Sequence, residues 1–296
     1  MSVVTDLASV SNQVQKFWSP LFMPELRKQS LLPSLINKDY QGEIKQGGDT
    51  VYVSQIVAPS GQLLTVGTNA DSFDTEALTT NRIGISANQR AVASFEFTDL
   101  AMLQSQIGSE DSEIRNALMY AVQQKINAYC YSLVSPSTAS PDHLDNSVTD
   151  CNAAQVSSMR MRAAQAHWLK TKGWWLLADP SYNSDMLNAQ TLTSRDYTGQ
   201  DDVPIIGGQI ANKRFGFNIL EDDSLAVDQA LAFSPDFAHL VMQKEPTFKV
   251  SDQHANKKFG FIISCDVIFG AALGIAGNVK HILATADSAA STIVMA

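Results

Sequence analysis

The stretch SEDSEIRNALMYAVQQKINAYCYSL, residues 109–133, decides how the rest of the chain is read. Ile114, Ala117, Leu118, Ala121, Val122, Ile126, Tyr129 and Leu133 recur at helical steps, which place them on one helix face. Ser109 or Ser112 can cap the first turn, and Glu110, Asp111 and Glu113 suit the positive end of the helix dipole. Pro136 stops the pattern. At about 1.5 Å per residue such a helix spans roughly 35 Å, about twice an average globular helix. Arg115, Asn116, Gln123, Gln124 and Lys125 occupy the remaining positions, so it is not a membrane span. A helix of this length, placed just after two strand-like runs, is a structural girder.

Upstream, Gly47-Gly48-Asp49 signals a turn, and residues 50–57 (TVYVSQIV) are rich in β-branched side chains and read as a strand. Residues 58–80 hold Pro59, Gly61, Gly67, Asn69, Asp71 and Asp74, with little apolar periodicity. Strand character returns at Ile83, Ile85 and Ala87, and again where Ala91, Ala93, Phe95 and Phe97 alternate with Val92, Ser94 and Glu96. The expected object is a long hairpin with a polar tip. A hairpin of that size needs an external surface to lie on, which implies a partner. Residues 1–37 read as an arm: Leu7, Val10, Val14 and Phe17 have helical spacing. Pro20, Pro24 and Pro33 then break the chain into an extended strap.

Downstream, residues 136–149 form a loop and Asp150 is the expected cap of a second helix carrying Val156, Met159, Ala163 and Ala166 on one face. Lys170 and Lys172 suit its negative end and Gly173 its stop. Residues 174–178 (WWLLA) read as a short buried strand ended by the turn Asp179-Pro180. Shorter segments follow: a helix at 185–192, a loop at 201–202, Ile205-Ile206-Gly207-Gly208, strands at 215–220 and 231–233, a helix at 235–243, and strands at 247–250 and 257–269. The class is α+β, with neither a βαβ rhythm nor an internal repeat.

Composition bounds the function. The 296 residues are 45% hydrophobic and 17% charged, enough for one large domain or two modest ones. Asn, Gln, Ser and Thr replace charge, which suits either extensive protein contact or an ordinary polar surface. The net charge is −9 and no Lys/Arg run exceeds two residues, which argues against gripping nucleic acid through its phosphates. Cys130, Cys151 and Cys265 are far apart and form no CxxC pair, so free buried thiols are expected, with neither a zinc site nor a disulfide framework. The N-terminus lacks a basic stretch and carries Asp6, unlike a signal peptide. The apolar run 259–277 contains Ser264, Asp266 and four glycines and reads as buried strands.

No catalytic, cofactor-binding or metal site emerges. Phosphate loops and the GxSxG elbow are absent, and Gly207-Gly208 and Gly270/Gly274 are turn and packing glycines. His143, His167, His239, His254 and His281 are scattered. Glu110-Asp111, Asp201-Asp202 and Glu221-Asp222-Asp223 read as solvated caps and turns, and Trp174-Trp175 as core. The enzymatic rival is an α+β hydrolase with a cryptic couple of Cys265 or Cys151 with a distant histidine.

Three groups of residues carry a resemblance. Ile36-Asn37-Lys38-Asp39-Tyr40 with Gly48-Asp49-Thr50-Val51 is the first, and Gln89-Arg90 through Phe95 to Asp99 the second. The third is Trp175-Leu176-Leu177-Ala178-Asp179-Pro180 with Gly208-Gln209-Ile210 and Phe215-Gly216-Phe217. In this order they resemble the major capsid protein of tailed bacteriophages, the Johnson fold also found in herpesvirus shells and encapsulin compartments. The resemblance implies an N-arm at 1–44, an E-loop at 45–97, a peripheral domain with a spine helix at 98–178 plus 257–296, and an axial domain at 179–256. It implies no enzyme and no cofactor, but pentamers and hexamers of the chain itself. These would form an icosahedral virion shell, made in the host cytoplasm, that encloses DNA without sequence-specific binding. Scaffolding, portal and decoration proteins would be its further partners, and a membrane would not. An encapsulin-like compartment is the alternative within the fold.

Overall fold

The computed structural model describes residues 26–45, 48–66, 73–104, 111–134, 143–194, 205–206, 209–210, 213–274, 280–286 and 295. The chain begins with the single turns α1 (Leu32–Leu35) and α2 (Gln41–Ile44), then β1 (Thr50–Ile56), β2 (Thr80–Ser86) and β3 (Gln89–Thr98). Helices α3 (Asp99–Gln104) and α4 (Asp111–Ser132), strand β4 (Leu144–Asp145), helix α5 (Ala153–Gln165) and strand β5 (Trp174–Ala178) follow. After them come α6 (Pro180–Asn188), α7 (Gln190–Thr193), β6 (Ile205–Ile206), β7 (Gln209–Ile210), β8 (Phe217–Glu221) and β9 (Gln229–Phe233). The long strands β10 (Ala238–Asp252) and β11 (Gly260–Leu273) precede β12 (His281–Thr285).

A five-stranded sheet, ordered β4-β12-β9-β5-β8, forms the centre. Every residue of β9 and β12 is buried, as befits strands covered on both faces. Leu176, Ala178, Ala230, Ala232 and Ile282 pack on Val156 and Met159 of α5 and Tyr182 and Met186 of α6. Leu177, Leu231 and Phe233 turn the other way, into the cluster built around α4. A second sheet, ordered β10-β11-β3, is long and antiparallel. Helix α4 lies on it, with Leu118, Val122, Ile126 and Cys130 against Ala91, Ile263, Cys265, Val267 and Phe269. The expected girder is therefore present over Asp111–Ser132. Its buried apolar positions Leu118, Val122, Ile126 and Cys130 advance in steps of four, Asn127 and Tyr131 are buried beside Ser224 and Asp222, and Ala121 is left exposed. The expected Ser109 cap and Pro136 stop lie outside the described residues, as does the arm helix at 7–17.

Several local expectations are corrected. Residues 235–243 are not a helix: one 3-10 turn, Pro235–Phe237, leads into β10, whose first four residues are all buried. Short apolar runs do not distinguish helix from strand, and pairing with β11 decides the matter here. The strap around Pro33 is not wholly extended, because α1 takes the proline into its first turn and buries Leu32, with Ile36 just beyond it also buried. Asn152, not Asp150, caps α5, accepting from the Ala154 and Gln155 amides. Lys170–Lys172 is a separate 3-10 turn, and Gly173 (φ +72) follows that turn and not the helix. Asp179-Pro180 starts α6: Asp179 accepts from the Ser181 and Tyr182 amides and Pro180 takes the first turn. Among the described residues two strand pairs of this sheet are parallel, β5 with β8, which have α6 and α7 between them, and β4 with β12. The sheets also cross the expected domain limits. Strand β5 shares a sheet with β8 and β9, while β10 pairs along its length with β11.

Candidate assembly surfaces

Strands β1 and β2 pair from Thr50↔Ser86 to Ile56↔Thr80, and the pairing runs on through the Val57 amide to the Thr79 carbonyl, 2.9 Å. Among the described residues the root of this hairpin packs on the body through an apolar cluster, and farther out Gln55 lines a cavity with Ala166, Trp168 and Asp236. Ile85, Ile44 and Val241 form a small buried cluster, joined by Val51, Val53 and Ile83. The Gln243 amide donates to the Gly48 carbonyl (2.9 Å) and Lys45 pairs with Glu245 (2.5 Å). A Cβ at Gly270 would lie 1.8 Å from the Ser86 carbonyl oxygen, so β11 touches the root backbone to backbone and tolerates no side chain there.

Outward from the root the described residues form no buried cluster. Tyr52, Ile56, Val66, Phe73 and Leu78 are exposed and Leu63 is 100% exposed. The tip is tied by polar bonds: Glu76 accepts from the Ser60 hydroxyl and amide, and Gln62 accepts from the Asp74 amide at 3.1 Å. The Ser60 hydroxyl, then its amide, hold the Glu76 carboxyl below its ordinary range. A polar clasp beneath uncovered apolar side chains fixes a shape while leaving the burial to be done by something else.

A second uncovered apolar area lies at the far end of the long sheet. Phe95 on β3 and Val250 on β10 are exposed at the two edges of one row whose central residue, Ile263 of β11, is buried, and Phe259 is exposed in the turn beyond. Nearer the middle of the same face α4 takes over, and Arg115, expected to be a bare surface position, sits over the Phe248 ring at 5.6 Å.

Residues with chemical potential are held in structural work. Cys130, Cys151 and Cys265 are free and buried. Burial pushes the Cys130 and Cys151 thiols up to about 12 and raises Cys265, so the nucleophilic thiolate is disfavoured at all three. His143 and His281 pack edge to face at 5.1 Å, and His239 packs on Tyr40 at 5.2 Å. Asp222 accepts from the Tyr131 hydroxyl and the Ser224 amide, and Glu221 from Asn183 at 2.6 Å. Trp174 is core, against Trp168 and Phe217. Asp201-Asp202 lies outside the described residues, as does Glu110. Among the described residues no group of three or more His, Cys, Asp or Glu is placed to hold a metal ion, and no helix is long and apolar enough to cross a membrane. Sequence reasoning located the hairpin but missed the Phe95–Val250 row, whose only sequence signal is an aromatic alternation that normally means core.

No protein-family model matches the sequence, and no curated protein sequence matches it either. Solved structures do match. The Cyanophage Pam1 capsid asymmetric unit is 14% identical with a TM-score of 0.71, over 96% of this chain and 100% of that one. The capsid structure of Cyanophage P-SCSP1u is 13% identical with a TM-score of 0.69, over 94% and 95%. A structure from Mycobacterium phage Che8 is 18% identical with a TM-score of 0.68, over 91% and 96%. The chain has the α+β fold of these phage capsid structures, the Johnson fold.

Proposed function

We propose that this chain is the major capsid subunit of a tailed bacteriophage, which assembles as pentamers and hexamers into an icosahedral shell around the genome. The observation that carries this reading is the agreement with phage capsid subunits over nearly the whole length of both chains. The uncovered hairpin supports it, because a projecting apolar element with only a small root of its own needs a neighbouring subunit. In this reading residues 45–97 are the E-loop and residues 1–44 the N-arm, each lying across a neighbour. The domain division follows the sheets: α4 with β3, β10 and β11 is the peripheral domain, and the five-stranded sheet with α5, α6 and α7 is the axial domain.

Each contact between neighbours is small, but every subunit makes several, so the shell is held by multivalency. The net charge of −9 suits a wall that encloses DNA without gripping its phosphates. The virion is the final location, after assembly in the host cytoplasm with scaffolding, portal and decoration proteins as partners. The role is structural and not enzymatic. A hydrolase would need an accessible thiolate, and burial works against one at all three cysteines.

Negative-stain electron microscopy of the purified protein tests the proposal. Closed shells of uniform diameter are expected at high protein concentration or on co-expression with the neighbouring phage genes. A protein that stays monomeric under all these conditions would overturn it.

A further inference from the structure

One carboxylate ties the long sheet together where the hairpin leaves it. Asp266, in the middle of β11, has a side chain only 5% exposed. Its Oδ2 accepts from Arg90 Nη2 at 2.5 Å and Nε at 3.2 Å, across to β3. Its Oδ1 accepts from Lys244 Nζ at 2.7 Å and Thr247 Oγ1 at 2.9 Å, across to β10. The bonds to Lys244, then to Arg90, hold the carboxyl far below its ordinary range, so it is charged at neutral and mildly acidic pH.

The place matters as much as the bonds. Arg90 is the second residue of β3, just past the Ala87-Asn88 link from the hairpin. Lys244 and Thr247 bracket an irregularity in β10: Lys244 faces Ile268 and Thr247 faces Asp266, so three steps on one strand meet two on the other. Pro246, within that irregularity, has no N–H to give the ladder. Bulged strands bend and twist, and β10 has its register shifts at this level, between Met242 and Thr247. The same segment also carries the root contacts from Gln243 to Gly48 and from Glu245 to Lys45.

We propose that Asp266 is a positioning residue that sets the angle at which the hairpin leaves the long sheet. Two cations from opposite edge strands converge on it. Without the carboxylate they would repel each other across β11, and the bulge would be free to flex. With it, β3 and β10 are locked in one relative position at the level from which β1 and β2 project. The buried core does not require the arrangement, since the face around it mixes Ser94, Ser264 and Lys249 with Val92, Ile262 and Ile268, none of them fully buried. An ion cluster around one buried carboxylate adds little net stability over an apolar substitute, and fixing one geometry is its better attested use.

The test compares Asp266→Asn and Arg90→Ala with the unaltered protein by hydrogen exchange on unassembled subunits and by electron microscopy of assembled particles. Arg90 is more than half exposed, so its variant guards against an Asp266 variant that fails to fold. Exchange is expected to quicken about tenfold in residues 48–57, 80–88 and 243–247 while α4 keeps its protection. Particles are expected to lose their uniform diameter. Unchanged exchange overturns the proposal, and so does a general rise that includes α4, which marks plain destabilisation. Local loosening with particles of unaltered diameter also overturns it. The particle readout rests on the shell reading and the exchange readout does not. If the unaltered protein forms no particles, the shell reading falls and the clamp is judged by exchange alone.

Discussion

The β1–β2 hairpin and the β9–β12 pair are both short antiparallel ladders, yet different physics holds them. In the hairpin most positions are exposed, and the ladder rests on cross-strand pairs such as Thr50 with Ser86 (2.9 Å) and Arg82 over Tyr52 (5.0 Å). In QALAF and HILAT every position is buried, although alanine is a poor strand former. Local propensity makes the first pair and burial makes the second. The difference teaches that β-branched richness marks a strand without saying whether a core lies beneath it. Changes in the hairpin are therefore expected to spare the subunit fold, and changes in the sheet to unfold it.

The largest expected effect breaks function and spares the fold. Replacing residues 60–80 by a short Gly/Ser turn is expected to abolish shells, seen by microscopy, while the subunit melts within a few degrees of the unaltered protein. Equally heat-stable shells from the shortened chain would show that the hairpin is not the inter-subunit element. The converse experiment is Leu118→Ala, which empties a fully buried site between α4 and the long sheet. It is expected to cost about 2–5 kcal/mol in denaturant unfolding, whether or not shells form.

A pH titration sharpens the contrast, since acid is expected to act on the body. Burial, opposed by Asp236, lowers the pKa of His239, and its Nδ1 has no hydrogen-bond partner. The unfolded chain then binds the proton more readily, so this group's stabilisation is whole above about pH 6.5 and is lost as pH falls below it. His239→Gln is expected to flatten the stability curve between pH 7 and 5, and an unchanged slope would show that this histidine is not responsible. The smallest effect is the loss of a cap. Asn152→Ala removes the acceptor for two amides of α5 and is expected to cost about 1 kcal/mol, with shells unaffected.

The elements most legible in the sequence were those with a long, consistent period. Helix α4, the hairpin, β5 and the apolar strand β11 all declared themselves through spacing. What stayed hidden depended on contacts distant in sequence. The Ala238–Val241 run looked helical because nothing local shows that β11 lies beside it. Ala121 fitted the stripe, yet the sheet does not reach it. Asp179-Pro180 is compatible with both a turn and a helix start, and only the Ser181 and Tyr182 amides tell them apart. The assembly surfaces were half legible. The missing apolar period at 58–80 was visible, but the exposed Phe95–Val250 row has the pattern of a buried one.

The strand order of the central sheet bears on when the subunit can fold. Residues 281–285 supply β12, which sits between β4 and β9 and pairs with residues 144–145 and 229–233. The sheet therefore stays open during synthesis until that segment, more than 45 residues beyond β9, has left the ribosome, with the apolar β9 lacking one of its neighbours. Pairings this distant in sequence close slowly, and an unpaired apolar edge is prone to wrong association while it waits. The fold thus ties the completion of the subunit body to the emergence of residues 281–285, and nascent chains are natural clients for a chaperone.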